Sequence, residues 1–200
     1  MLKLLAGILS ATAMAQSLPF WKAKSKVYER IQNHEVIVSS SERDVSPNKP
    51  RYELKVLGGG QTRAPCDFVF KEAQKYEELA HLSSFISKAK YDADKKILAV
   101  TIDAFFRRAD FEIGIHPGDK NTLDFVVLSG PTAGFHWLLA MSEVTPKACE
   151  ISLDGLYKYD HYPMPHWFLE VGVETVFKHM AEQLRDHVEN EWKIWKNPST

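Results

Sequence analysis

The segment that decides the fold is residues 163–195, PMPHWFLEVGVETVFKHMAEQLRDHVENEWKIW. Its apolar residues recur three or four positions apart, and charged residues occupy the other side. The apolar residues are Leu169, Val173, Val176, Phe177, Met180, Leu184, Val188 and Trp192. This spacing predicts a long amphipathic α-helix. Pro163 and Pro165 suit its first turn, and Asn197 ends it with the proline that follows. Because such a helix is unstable alone in water, the remaining chain must supply a broad apolar surface.

Six segments upstream of this helix have the period of two that is typical of β-strands. They are residues 85–91, 96–104, 109–115, 122–129, 134–143 and 148–159. Short turns join them, which predicts antiparallel neighbours. Apolar residues alternate with polar ones along several of these strands, so the predicted sheet has one apolar face on which the helix can lie.

The preceding part of the chain adds two strands and a helix. Residues 34–40 and 51–57 are rich in β-branched residues, and a polar loop at 41–50 separates them. The glycines at 58–60 are predicted to end the second strand, marking a bend or a close backbone approach; a phosphate loop would need a Lys-Ser/Thr tail that the sequence lacks. Residues 65–81 have helical spacing, and a break near Tyr76 would give two short helices in place of one.

Composition excludes some function classes. The 200 residues are 44% hydrophobic and 12% aromatic, enough for a real core. Lysine and arginine number 25 against 26 acidic residues, a formal net charge of -1. Because no global positive field would attract a polyanion, we predict no nucleic-acid partner.

The first residues have the pattern of a secretory signal peptide. Lys3 supplies the positive charge, residues 4–13 the apolar run, and Ala13-Met14-Ala15 the cleavage site. The alternative, an uncleaved anchor, is disfavoured because the run is much shorter than the ~20 residues needed to span a bilayer. We therefore predict cleavage after Ala15 and a secreted or periplasmic protein, with an extension carrying one extra strand at 16–50 and the main domain at 51–196.

Two cysteines, Cys66 and Cys149, are present. An oxidising compartment permits a disulfide between them, and two buried free thiols are the alternative. Neither belongs to a C-x-x-C pair. The histidines of the last helix, His179 and His187, are not spaced three or four apart, so we predict neither a metal nor a cofactor.

Candidates for catalysis are few. The chain has no nucleophile elbow. Asp103, Asp160 and His161 are acid or base candidates, and Asp103 with Arg107 or Arg108 could anchor a polar head group. Surface ion pairs are the commoner fate of such residues, so we assign no catalytic residue.

Several local phrases carry a resemblance to a known superfamily. They are Ala64-Pro65 before the first helix, GFHW at 134–137, YKY at 157–159 leading into PMP at 163–165, and LRDHVE at 184–189. With the order of elements, residues 51–192 resemble the START superfamily (SRPBCC), whose helix-grip fold includes polyketide cyclase/dehydrase-like and coenzyme Q-binding-like proteins. The resemblance implies an α+β fold in which a seven-stranded antiparallel sheet curves around a long C-terminal helix.

In that superfamily the space between sheet and helix takes hydrophobic ligands such as sterols, phospholipids, quinones or polyketides, and a minority of members are enzymes. The resemblance also places the start of the last strand near the end of the first, which favours a Cys66–Cys149 bridge. Without the resemblance, the inward-facing apolar and aromatic residues would be predicted to be core. With it, ten of them are expected to contact a ligand: Phe111, Ile113, Phe135, Trp137, Tyr157, Tyr159, Phe168, Val173, Val176 and Phe177. Along the last helix, residues toward Trp192 should be core and those toward Pro165 should face the ligand.

Three functional hypotheses follow. The first is an exported, non-enzymatic carrier or sensor of a hydrophobic small molecule or lipid, monomeric and in transient contact with membranes. The second is a cyclase-, dehydratase- or hydrolase-like enzyme using Asp103, Asp160, His161 or a tyrosine as acid or base. The third is a protein-interaction module with a filled core, which the lack of a cavity would favour.

Overall fold

A computed structural model of the chain describes residues 19–45, 51–104, 107–118, 121–160 and 166–197. The predicted signal peptide lies outside the described residues. The helices are α1 (Ser25–Gln32), α2 (Cys66–Ala73), α3 (Leu79–Leu82) and α4 (His166–Lys196). The strands are β1 (Ile37–Asp44), β2 (Tyr52–Thr62), β3 (Ile86–Asp92), β4 (Ile97–Ala104), β5 (Arg107–Pro117), β6 (Thr122–Ser129), β7 (His136–Thr145) and β8 (Ala148–Tyr159). Among the described residues, no helix combines the length and apolarity that a membrane crossing requires.

The strands form one open antiparallel sheet in the order β1-β2-β8-β7-β6-β5-β4-β3. The last strand pairs with the first strand of the main domain, so Thr62 lies opposite Cys149. Helix α4 packs on one face of this sheet and contacts β1 and β2 most. The predicted seven strands and the extra one are confirmed, and the bounds of β6 and β8 match the predicted ones.

The glycine run at 58–60 does not end a strand, and that prediction was wrong. Strand β2 continues to Thr62 because its backbone is paired on both sides, with Gly58 opposite Val38 of β1 and Leu153 of β8. The predicted close approach is confirmed at Gly59. A Cβ atom added there would lie 2.7 Å from the ring of Trp21.

The segment before β1 covers the outer face of the sheet, the face away from α4. The side chain of Trp21 is 1% exposed. Helix α1, which the sequence analysis missed, follows it and buries Ile31. Lys22 Nζ lies 2.8 Å from Glu150 Oε2, and the Tyr28 hydroxyl donates a hydrogen bond of 3.2 Å to Glu150 Oε1. The extension therefore buries and neutralises a carboxylate of β8.

Two further predictions concern the loop after the first strand and the helix at residues 65–81. The predicted loop at 41–50 was wrong over residues 41–44, because β1 pairs with β2 as far as Asp44 opposite Tyr52. The helix predicted at 65–81 is broken near Tyr76, where a 3₁₀ turn at Tyr76–Glu78 separates α2 from α3.

The predicted bridge is confirmed: Cys66 and Cys149 form a disulfide with their Cα atoms 4.9 Å apart. It joins the first residue of α2 to the second residue of β8. Both cysteines are buried, with exposures of 5% and 0%. The bridge therefore fixes α2 against the end of the sheet at which β2 stops.

Candidate functional site

A pocket of about 590 Å³ lies between α4 and the inner face of the sheet, the face that α4 covers. Apolar side chains from β3 to β8 form most of one wall, and Leu169, Val173, Val176, Phe177, Met180 and Leu184 of α4 form the other. The volume falls within the range of pockets that hold small molecules. We call this space the interlayer pocket.

Seven of the ten predicted ligand contacts line the interlayer pocket: Phe111, Ile113, Phe135, Trp137, Val173, Val176 and Phe177. Their inward orientation follows from strand alternation and helical spacing, which is why the sequence could place them. The side chain of Phe168 lies outside the described part of the chain. That these residues contact a ligand stays a prediction.

Tyr157 and Tyr159 are not on the pocket wall. They stack on each other with ring centroids 5.0 Å apart, and Tyr159 stacks on Tyr52 at 5.6 Å. The Tyr159 hydroxyl donates a hydrogen bond to Glu42 of β1. Burial and this carboxylate raise the pKa of Tyr159 above its usual range. Strand β8 is regular through Gly155, so both rings face inward as predicted. They lie farther along the strand, beyond the end of the pocket.

The boundary between pocket and core on α4 lies farther along the helix than its midpoint. Met180 and Leu184 still line the pocket. Val188 is fully buried, and Trp192 packs against Phe68 of α2 with ring centroids 5.1 Å apart. The end toward Trp192 is therefore core.

Of the polar residues on the pocket wall, the sequence analysis proposed only Arg108, as a possible anchor for a head group. Gln61, Thr62, Tyr76, Arg108, Thr132 and Arg185 are there. Arg185 is engaged, since its Nη1 donates a 2.8 Å hydrogen bond to the carbonyl of His34. The hydroxyl oxygens of Thr62 and Tyr76 are buried and have no hydrogen-bond partner among the described residues. Hydroxyl groups have no periodic pattern that would reveal such a position.

The predicted acid and base candidates lie elsewhere or outside the described residues. Asp103 is exposed on β4 opposite Arg108, and Asp160 is exposed and pairs with Arg51 at 3.1 Å. His161 and the side chain of Arg107 lie outside the described part. Among the described residues, no carboxylate or histidine lines the interlayer pocket.

The pKa of Tyr76 yields a testable pH dependence. Burial, with a smaller contribution from Tyr91, raises this pKa from 10.0 to about 12. A raised folded-state pKa favours the neutral phenol, so its stabilising contribution is complete below pH 10 and is lost as the pH approaches 12. We expect wild-type protein to lose more free energy of unfolding across this window than Tyr76→Phe, measured by urea denaturation. Equal losses would contradict the burial of an ionisable hydroxyl.

One cluster, formed by residues of α2, the 3₁₀ turn and α4, has metal-ligand chemistry. Carboxylate oxygens of Glu72 and Glu78 and a ring nitrogen of His187 lie within 4.8 Å of one another. Lys75 Nζ lies 2.8 Å from Glu72 Oε2, and hydrogen bonding to Glu72 raises the pKa of Lys75. A lysine cation therefore already neutralises the most buried of these carboxylates.

Comparison with solved structures places this architecture. The chain is similar to a START superfamily protein from Mycobacterium smegmatis, with a TM-score of 0.60 and 13% identity over 68% of this chain and 97% of the other. It is also similar to the ZhuI aromatase/cyclase from Streptomyces sp. R1128, with a TM-score of 0.59 and 10% identity over 71% and 94% of the two chains. A protein from Thermus thermophilus matches 82% of this chain and all of its own, with a TM-score of 0.55 and 12% identity.

No protein-family model and no curated protein matches the sequence. The class that the structure defines is nevertheless plain: an open antiparallel sheet folded against a long C-terminal helix. The chain has the helix-grip fold of the START superfamily, as the sequence phrases predicted.

Proposed function

We propose that the protein binds a hydrophobic, lipid-like small molecule in the interlayer pocket. The observation that supports this most is the pocket itself, about 590 Å³ walled mainly by apolar side chains. Apolar walls of this extent are unfavourable in contact with water, and a bound apolar molecule would cover them. A filled core with a purely protein-binding role fits this pocket poorly.

We further propose that the protein is an exported, monomeric carrier. The signal-like residues 1–15 and the Cys66–Cys149 disulfide support export, because structural disulfides form in oxidising compartments. The division into residues 1–15, 16–50 and 51–196 belongs to the same proposal. A carrier would exchange its ligand by transient contact with a membrane surface.

The direct test is organic extraction of purified protein followed by mass spectrometry, together with displacement of the neutral fluorophore N-phenyl-1-naphthylamine by lipids. Binding predicts an extractable apolar molecule in stoichiometric amount, or saturable fluorophore uptake that lipids reverse. Empty extracts combined with no fluorophore uptake would overturn the proposal.

A matched pair of variants in α4 tests whether the ligand binds in the interlayer pocket. Val173 lines the pocket, whereas Val171 of the same helix is 58% exposed. We expect Val173→Trp to weaken fluorophore binding by about tenfold or more, because the larger side chain fills the space that the ligand needs. Val171→Trp should leave binding unchanged. Equal effects, with both variants folded by circular dichroism, would show that the fluorophore binds elsewhere.

An enzymatic role is the second candidate, and the likeness to an aromatase/cyclase favours it. Tyr76 is the group that could act, as a neutral hydroxyl on the pocket wall. With a pKa of about 12 it is suited to donate a hydrogen bond or proton and ill suited to act as a base. Cyclisation of a linear poly-β-ketone by wild-type protein, lost in Tyr76→Phe, would support this role.

A further inference from the structure

Two of the three glycines in β2 leave a bare strip in the wall of the interlayer pocket. Gly58 lies opposite Leu153 and Gly60 opposite Ile151, and both partners line the pocket. Directly opposed residues of antiparallel strands share a face, so Gly58 and Gly60 face α4. Gly59 faces the other way, against Trp21.

Trp21 occupies the space beside Gly59, whereas the described residues leave most of the space above Gly60 open. Among the described residues, a Cβ atom at Gly60 would meet only Val36 within 4 Å, at 3.4 Å. A Cβ atom at Gly58 would lie 3.3 Å from Leu153 and 3.6 Å from Ile37 and Val38, so the flanking strands leave less room there. Trp21 explains a glycine at 59. In the part of the chain that the structure describes, no side chain of α4 lies within 4 Å of a Cβ at Gly60, so packing against the helix does not explain that glycine.

The helix surface across the pocket from this strip can be located. The backbone N–H of Ser40 donates to Glu174, and the carbonyl of His34 accepts from Arg185. Gly58 and Gly59 pair with Val38 and Ile37 of β1, which lie between those two contacts, so the helix turns between Glu174 and Arg185 lie opposite this part of β2. Phe177 and Ala181 from these turns line the pocket.

The strip ends at an unpartnered hydroxyl. Thr62 lies two residues beyond Gly60 on the same face, opposite Cys149, and lines the pocket. It is 1% exposed, and its Oγ1 has no hydrogen-bond partner among the described residues. A buried hydroxyl without a partner costs free energy that a ligand oxygen could recover.

We infer that Gly58, Gly60 and Thr62 form a subsite for a flat, rigid ring system carrying a neutral oxygen acceptor. This inference rests on the proposed function and specifies its ligand class. On this face the backbone of β2 carries no side chains at the two glycines. The flanking side chains of β1 and β8 are about 10 Å apart, the distance of two strand spacings. Glycine in a strand interior destabilises the strand, and a common compensation is the close approach of a ligand.

The inference predicts different effects on rigid and flexible ligands. The probes are fluorenone, a flat tricyclic ketone, and the linear methyl ketone of the same carbon number. Gly60→Val should weaken fluorenone binding about tenfold, because a rigid ring cannot avoid the added methyl groups. The linear ketone should lose less than about threefold, because a flexible chain can bend past them.

Gly114→Val is the matched control, since Gly114 faces away from the pocket on β5 and the three atoms nearest to a Cβ there belong to Leu128, at 3.4–3.5 Å. It should change neither affinity. Thr62→Val should weaken fluorenone about fivefold, the value of one hydrogen bond, and leave the parent hydrocarbon fluorene unaffected. If Gly60→Val does not fold by circular dichroism, Gly60→Ala should show the same selectivity at smaller amplitude.

The outcomes separate this inference from the proposed function. Wild-type protein that binds neither ketone would count against both. Wild-type protein that binds the linear ketone but not fluorenone would overturn the subsite alone, as would equal losses for the two ketones in Gly60→Val or no loss in either. Selective loss of fluorenone in Gly60→Val, with Gly114→Val unchanged, supports the subsite.

Discussion

Simultaneous replacement of Cys66 and Cys149 by alanine is expected to lower the free energy of unfolding by about 3–5 kcal/mol. The bridge spans a sequence separation of 83, so in the entropic account it strongly restricts the unfolded chain. The measurement is urea denaturation of oxidised wild-type and Cys66→Ala/Cys149→Ala protein, each with and without a thiol reductant.

The reductant serves as the internal control for this pair. Wild-type protein should become as unstable as the double variant once reduced, and the double variant should not respond. Two free thiols in mass spectra of exported protein, or a loss below about 1 kcal/mol, would contradict a stabilising bridge. Helix α2 should be destabilised most, because the bridge attaches the first residue of that helix to β8.

Much of the fold was predictable because periodicity and turn chemistry agree along the chain. The alternation through Phe111, Ile113 and Ile115 and the three-to-four spacing of α4 each define one apolar face. Two apolar faces in one chain must meet. The same logic placed most of the pocket lining, since inward residues line whatever space remains between the layers.

The errors occurred where tertiary contacts override local preference. Glycine is disfavoured in strands, so the sequence suggested that β2 ends before Gly58, yet pairing with both β1 and β8 carries it to Thr62. Helix α1 is short and charged, and its stability comes from packing on the sheet. Tyr157 and Tyr159 face inward as the alternation requires, but nothing in a period of two indicates where along a strand the pocket ends.

Trp21→Ala is expected to lower the free energy of unfolding by about 3–5 kcal/mol, the usual loss for a large aromatic removed from a core. Trp21 is 1% exposed and lies against Gly59. Its loss should also loosen the segment that brings Lys22 to Glu150, leaving a buried carboxylate without its cation. The measurements are urea denaturation and limited proteolysis, which should cut between Trp21 and β1. Trp195→Ala is the control, since Trp195 is 67% exposed and should cost little.

A double-mutant cycle with Gly59→Ala tests whether this contact explains the glycine. In wild-type protein the new Cβ would lie 2.7 Å from the Trp21 ring, so Gly59→Ala should destabilise by about 1–3 kcal/mol. In the Trp21→Ala background the ring is gone, and the same change should be neutral or stabilising by about 0.5–1 kcal/mol, because alanine loses less backbone entropy than glycine in a strand. Additive effects would show that Trp21 is not what requires Gly59. If Gly59→Ala is destabilising in wild-type protein and stabilising without Trp21, then packing against Trp21 accounts for Gly59. Gly58 and Gly60 differ from it, because we assign the side of them that faces α4 to a ligand.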